Sequence, residues 1–225
     1  MVRRTKQAAL ATREALIDAA EQVFRREGVT RTSLAEIAAE AGVSRGAIYW
    51  HFRDKAELLD AMCERTLLPL DAAVARAGDE VRADPLGMVR TLAIDALTQL
   101  ASDDRTQAVF EILFHKCELV GDMAGRTAGR AGDRAECLSS VRELFELAVA
   151  AGQLPPDTDV ALTAHAMHAY VIGVMHEWVR SPGDYDLAAA APALVDVMLA
   201  GLRAQPPRLA SAQDAKLRSH CTGHT

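Results

Sequence analysis

The chain has 225 residues, half of them apolar and only 4% aromatic, with a formal net charge of −6. That length allows a substantial core in one large or two modest domains, and abundant Leu and Ala with few β-branched runs point to an all-α fold. No stretch reads as the ~18 to 20 uninterrupted apolar residues of a membrane span, and MVRRTKQAA is basic with no apolar run behind it, so neither a spanning helix nor a secretory leader is expected and the location is taken as cytoplasmic.

The charge is uneven. Residues 1–55 hold ten Lys or Arg against seven acids, a balance of +3, which leaves −9 on the remainder. A basic end on an acidic body is expected where one part meets phosphate and the other must not. The four cysteines, Cys63, Cys117, Cys137 and Cys221, have no C-x-x-C spacing and the seven histidines are scattered. No zinc site or other cofactor is expected, and the thiols read as free ones of a reducing compartment. No nucleotide loop, paired carboxylates or nucleophile set points to an enzyme.

In chain order, Gln7 to Glu27 reads as a helix with Leu16, Ile17, Ala20, Val23 and Phe24 on one stripe and Gly28 at its end. Arg3, Arg4 and Lys6 precede it, as either an arm along DNA or a solvated leader. Ser33 stands three residues before Glu36, the spacing of a capping box, and Leu34, Ile37, Ala38 and Ala41 share one face. Gly42 fits a left-handed stop, and Ser44 the next N-cap.

The helix opened by Ser44 turns Val43, Ala47 or Ile48, and Phe52 inward, and carries Ser44, Arg45, Tyr49, Trp50 and His51 on its other face. Two turns cannot bury a Tyr, a Trp and a His on all sides, so some of these rings must meet solvent or a partner. The pattern suits a recognition helix in a DNA major groove; an ordinary hairpin with aromatic core is the alternative. Asp54 then caps a helix whose box is completed by Glu57, with Lys55 in its first turn, where an ammonium reaches phosphate. It runs through Leu58, Leu59 and Met62 to about Leu67 or Leu70, with Pro69 to bend or end it.

Beyond it, Asp84 and Pro85 fit N-cap and N1 positions. Further helices read as Leu86 to Ala101, Arg105 to Leu119, Ala135 to Ala151, Val160 to Arg180 and Leu187 to Ala204. GDMAGRTAGRAGDR is a loop or frayed helix, and the proline-led end from Pro206 reads as a disordered tail. Val89, Leu92, Phe110, Leu113, Phe114, Val141, Met167, His168, Val171, Ile172 and Met175 exceed what one apolar face requires, as either an adaptable pocket or plain core.

The segment VSRGAIYWHFRDKAELL, with TSLAEIAAEAG before it, resembles the DNA-binding domain of the TetR family of bacterial regulators, and within it the repressors of multidrug efflux genes. FEILFHKCELVGDM and AYVIGVMHEWVRSPGDYDL resemble later segments of the same group. The resemblance implies a TetR-like all-α fold: a three-helix helix-turn-helix domain over 1–55, a connecting helix over 54–70, a ligand-binding and dimerisation domain over 71–205, and a tail over 206–225. It implies a homodimer through the last two long helices, using Leu162, Ala166, Tyr170 and Val174 with Leu194, Val197, Met198 and Leu202, and the small residues Ala169, Gly173, Ala190, Ala193 and Gly201 for close packing. Pseudo-palindromic double-stranded operator DNA and a hydrophobic small-molecule inducer are the implied partners.

The DNA-binding residues so implied are Thr32, Ser33, Ser44, Tyr49, His51 and Lys55 on the backbone, with Arg45, Gly46 and Trp50 toward bases. The ligand-binding residues are Val89, Leu92, Phe110, Leu113, Phe114, Cys137, Val141, Met167, His168, Val171, Ile172 and Met175. A redox-sensing repressor of the same fold, acting through Cys117 or Cys137, is the alternative.

Overall fold

The computed structural model describes residues 2–66, 78, 80–117 and 127–209, and these are helical with short connections. Four helices make the N-terminal part: α1 (Val2–Glu27), α2 (Leu34–Glu40), α3 (Arg45–His51) and α4 (Lys55–Thr66). α1 begins at Val2, five residues earlier than the apolar stripe suggests, because nothing in VRRTKQAAL breaks a helix; the basic leader extends α1 and is not a separate arm. One apolar cluster joins Leu16, Phe24, Leu34, Ile37, Ile48 and Phe52 to Leu58 and Met62 of α4.

Local chemistry sets the angles between these short elements. Gly42 takes φ +66°, and its N–H and that of Val43 donate to Ala39 and Ala38 carbonyls, closing α2 in a Schellman turn. Asp54 Oδ1 accepts from Ala56 and Glu57 N–H, capping α4. Glu57 reaches one residue further back than a capping box requires, accepting from the Arg53 N–H at 2.8 Å and Arg53 Nε at 2.9 Å. These bonds hold its carboxyl below the ordinary carboxylate range.

The larger part holds α5 (Glu80–Ala83), α6 (Pro85–Ser102), α7 (Asp104–Glu111), α8 (Thr127–Ala150), α9 (Val160–Arg180) and α10 (Leu187–Ala204). Capped by Asp84 with Pro85 at its start, α6 packs chiefly on α10 and also on α8, while α9 lies against α8. The expected helix Arg105–Leu119 is instead α7 followed by a π-helical segment, Ile112–Lys116. α8 starts at Thr127, so part of the Gly-rich stretch is helix; residues 121–126 of that stretch, residues 67–70 of the expected connecting helix, and Leu119 lie outside the described residues.

The expected tail is partly anchored. Pro206 is buried, Asp159 N–H donates to the Pro207 carbonyl, and Leu209 N–H donates to that of Asp157; residues 210–225 are not among those described. By length and composition α10 is apolar enough to cross a membrane, with mean hydropathy 1.6, yet only 28% of it is buried within the chain. Its Asp196 accepts from Arg90 of α6 at 2.6 Å and 3.0 Å.

Candidate nucleic-acid interface and the body behind it

The interface is built on α3. Ser44 Oγ accepts from the Ala47 N–H at 3.2 Å and fixes the helix start. Ile48 and Phe52 anchor the inner face at essentially zero exposure, and Arg13 of α1 lies over the Phe52 ring at 5.4 Å. What remains outward is Arg45, Gly46, Tyr49 at 59% exposure and Trp50 at 74%. Trp50 is braced edge-on by His51 at 4.6 Å. Burial first, and the Arg13 charge second, hold His51 below the ordinary imidazole range, so at neutral pH it is an uncharged hydrogen-bonding group.

Among the described residues Gly46 has no reason to be glycine. Its φ is not positive, and an added Cβ would meet only Ser44 Oγ at 3.9 Å. A helical Gly costs about 0.5–1 kcal/mol relative to Ala, so this position forgoes stability while leaving the outer face of α3 flat beside Arg45 and Trp50.

Two of the expected contact side chains are hydrogen-bonded within the chain. Thr32 is buried and its hydroxyl donates to the Gly28 carbonyl at 2.8 Å, completing the end of α1. Lys55 Nζ donates to the Val29 carbonyl at 2.6 Å and the Thr30 carbonyl at 3.0 Å, so its ammonium ties α4 to the loop after α1. The first turn of α4 faces back onto that loop, and carbonyls left over at a helix end compete for the same cation that DNA would need. Ser33 is exposed, but its hydroxyl is engaged in the reciprocal cap with Glu36, which takes the Ser33 N–H at 2.7 Å.

Sequence reasoning missed how this unit is fastened to the body. Gly28 sits at φ +85° with the Lys116 carbonyl 3.4 Å from where a Cβ would be, and Val29 N–H donates to that carbonyl at 2.9 Å. Arg65, near the end of α4 and only 15% exposed, meets Asp18 at 2.7 Å, Glu14 at 3.3 Å and Glu21 at 3.4 Å on α1. Arg105 of α7 shares Asp18, and Arg25 meets Glu111 at 3.0 Å. The acids at 14, 18 and 21 stand at helical spacing on one face, a signal readable in the sequence once a basic partner helix is sought. Glu21 is pushed above the ordinary carboxylate range, burial outweighing the neighbouring Arg105 and Arg65 charges.

In the body, Val89, Phe110, Met167 and Met175 are buried, and Leu92, Leu113, Phe114, Val141, Val171 and Ile172 pack half-buried on the same cluster. Cys137 and His168 are half-buried. Phe110 and Phe114 stack at 5.4 Å, and Phe114 meets His176 edge-on at 5.2 Å. A cavity of about 310 Å³ lies elsewhere, between α8 and α9 at Leu138, Ser139, Arg142 and His165, and touches none of the expected ligand residues. Cys63 is buried, and Cys117 and Cys137 are half-buried. Among the described residues no group of His, Cys, Asp or Glu is placed to hold a metal.

The residues expected on the outer face of α9 and α10 divide between inside and outside. Tyr170 turns inward and its hydroxyl donates to the Leu194 carbonyl at 2.8 Å, and Leu202 is buried. Open are Leu162, Ala169 and Gly173 on α9 and Ala193, Val197 and Gly201 on α10, all of the expected set, with Val197 69% exposed.

Comparison with known proteins agrees with this architecture. Residues 16–62 match the tetR family of bacterial regulatory proteins, and residues 84–204 match the C-terminal region of MAATS-type transcriptional repressors. The chain is 42% identical over 206 residues to the probable HTH-type transcriptional regulator ArpR of Pseudomonas putida, covering 92% of this chain and 98% of that protein. It is 41% identical, with the same coverage, to the HTH-type transcriptional regulator TtgR of Pseudomonas putida. Among solved structures, NalD, the secondary repressor of the MexAB-OprM multidrug efflux pump in Pseudomonas aeruginosa, superposes with a TM-score of 0.78 at 29% identity, covering 87% of this chain and 97% of that one. A complex of SmeT with triclosan gives 0.74 at 33% identity, covering 85% and 91%. With helix-turn-helix and body both matched, the chain belongs to the tetR family of bacterial regulatory proteins.

Proposed function

We propose that the chain is a homodimeric repressor of a multidrug efflux operon, holding pseudo-palindromic operator DNA through α3 and releasing it when a hydrophobic or aromatic compound enters the body. The observation that carries this reading is the outer face of α3: Arg45, a needless glycine at position 46, and exposed Tyr49 and Trp50 on a helix whose start and inner face are fixed. Arg45, Gly46 and Trp50 approach base edges, while Ser44, Tyr49, a neutral His51 and the α2 start at Ser33 lie along the backbone. α4 divides the molecule into the reading head and an effector body beginning near residue 71.

Dimerisation through α9 and α10 is supported by their open faces. An added Cβ at Gly173 or Gly201 would meet nothing within 4 Å among the described residues, so both leave room for a second copy. Two heads on one two-fold axis then read half-sites about 34–36 Å apart or a multiple of it. A compound seated among Phe110, Phe114 and Met167 displaces α7 and its π-helical extension, and the bonds of Arg105 and Glu111 to α1, with that of Lys116 to Val29 just after it, carry that displacement to the heads. The ligand acts only by its differential affinity for the two states, ~1–3 kcal/mol.

Light scattering and an operator titration test the proposal together. The expected result is a particle of twice 24.2 kDa that binds a fragment upstream of its own gene and is released by an aromatic biocide such as triclosan. A monomer, or a dimer indifferent to that DNA, would overturn it.

A further inference from the structure

The cavity of about 310 Å³ between α8 and α9 is used neither by the reading head nor by the expected ligand residues. Leu138, Ser139 and Arg142 line it from α8, at i, i+1 and i+4, and Ala161, Ala164 and His165 from α9, at i, i+3 and i+4. Each helix therefore turns one face into the space. The alanines of α9 reach into it with a methyl only, which is why two packed helices leave room there.

The polar groups around this space are little used within the chain. Arg142 is half exposed, and its one ion pair is Nε with Glu146 Oε1 at 3.3 Å, an i,i+4 surface pair of the kind that contributes little. Its two Nη groups, the His165 ring and the Ser139 hydroxyl have no hydrogen-bond partner among the described residues. Below them the floor is apolar, with Leu138 half-buried and Ala164 2% exposed. The space runs along the first two turns of α9, where the helix dipole favours an anion, although Asp159 at the cap takes part of that field.

A guanidinium fork receives both oxygens of a carboxylate at once, and an imidazole and a hydroxyl beside it supply further hydrogen bonds. The apolar floor suits a flat ring, and the volume is that of a small ligand. We propose that this cavity is a second ligand site, which takes small aromatic monocarboxylates. It stands apart from the inducer residues and does not rest on the ligand-responsive reading. Val141 and His168 lie on the same two helices, so the two sites share one helix pair.

Naphthoate and its uncharged isostere naphthamide are the probes, titrated by calorimetry into the full-length protein. Wild type should bind naphthoate about 10-fold or more tightly than naphthamide. Arg142→Gln should bring the two within about two-fold of each other, with helical content and melting temperature unchanged because Arg142 is a surface residue. Glu146→Gln, which removes the competing acid, should tighten naphthoate binding, and Ala161→Leu, which fills the space from an exposed position, should weaken both probes. Inorganic phosphate at the same concentration should not displace naphthoate, since it has nothing to lay on the apolar floor. Equal binding of the two probes by wild type, or a preference for naphthoate that survives Arg142→Gln, would overturn the site. Displacement by phosphate would overturn the class of ligand.

Discussion

Seven residues of α3 present Arg45, Tyr49 and Trp50 from a scaffold of named bonds: the Ser33–Glu36 box, the Gly42 turn, the Ser44 cap and the Asp54 cap. The body offers rings and thioethers, Phe110, Phe114, Met167 and Met175, held by packing alone. DNA presents a fixed ladder of phosphates and base edges, so its reader must be rigid and is specified locally. A body that receives apolar compounds of varied shape needs volume and adaptable side chains, which many sequences supply.

The largest effect that would break this contrast lies on α3. Arg45→Ala or Tyr49→Ala should weaken operator binding by about 10- to 100-fold, the value of one or two base or backbone contacts, with helical content and dimer mass unchanged. Operator titration alongside circular dichroism checks it; equal affinity would show that α3 is only a hairpin.

Next in size is Lys55→Ala. Removing an ammonium from two carbonyls should destabilise the head by about 1.5–3 kcal/mol, seen as a lower melting temperature. The salt dependence of DNA binding should keep its slope, because Nζ is committed to Val29 and Thr30. A slope reduced by about one contact would return Lys55 to phosphate.

The smallest effect concerns the fastening of head to body. Glu21 is raised above its ordinary value, chiefly by burial. A raised folded-state pKa means the group's stabilising contribution is complete below its unfolded value and is lost as pH rises through the folded one. At neutral pH its carboxylate is therefore a net burden, even beside Arg65. Glu21→Gln should melt at the same or a higher temperature at pH ~7, the difference from wild type shrinking as pH falls into the carboxylate range. Asp18→Asn, removing the 2.7 Å partner shared by Arg65 and Arg105, should by contrast lower it.

What could be read from the sequence follows the same division. Ser33, Glu36, Gly42, Ser44 and Asp54 act on neighbours within a few residues, so spacing alone places the turns and caps of the head. The hydrogen bonds of Lys55 and Thr32 could not be foreseen, because their partners, Val29, Thr30 and Gly28, lie on a loop whose path no local pattern fixes. Periodicity could not foresee the π-helical segment at Ile112–Lys116, nor that its last carbonyl would take the Val29 N–H. Tyr170 and Leu202 share their helices' apolar pattern with the open face, and only the crossing of α9 and α10 decides that they turn inward.

The central claim, that the outer face of α3 is the surface that meets DNA, is tested most directly by Gly46→Ala. Among the described residues the added methyl meets only Ser44 Oγ at 3.9 Å, so the free protein should gain about 0.5–1 kcal/mol and melt higher. Operator affinity should nonetheless fall by about 10-fold, because the methyl stands where a base or sugar edge must approach. A variant that melts higher and binds the operator as tightly as wild type would contradict the claim.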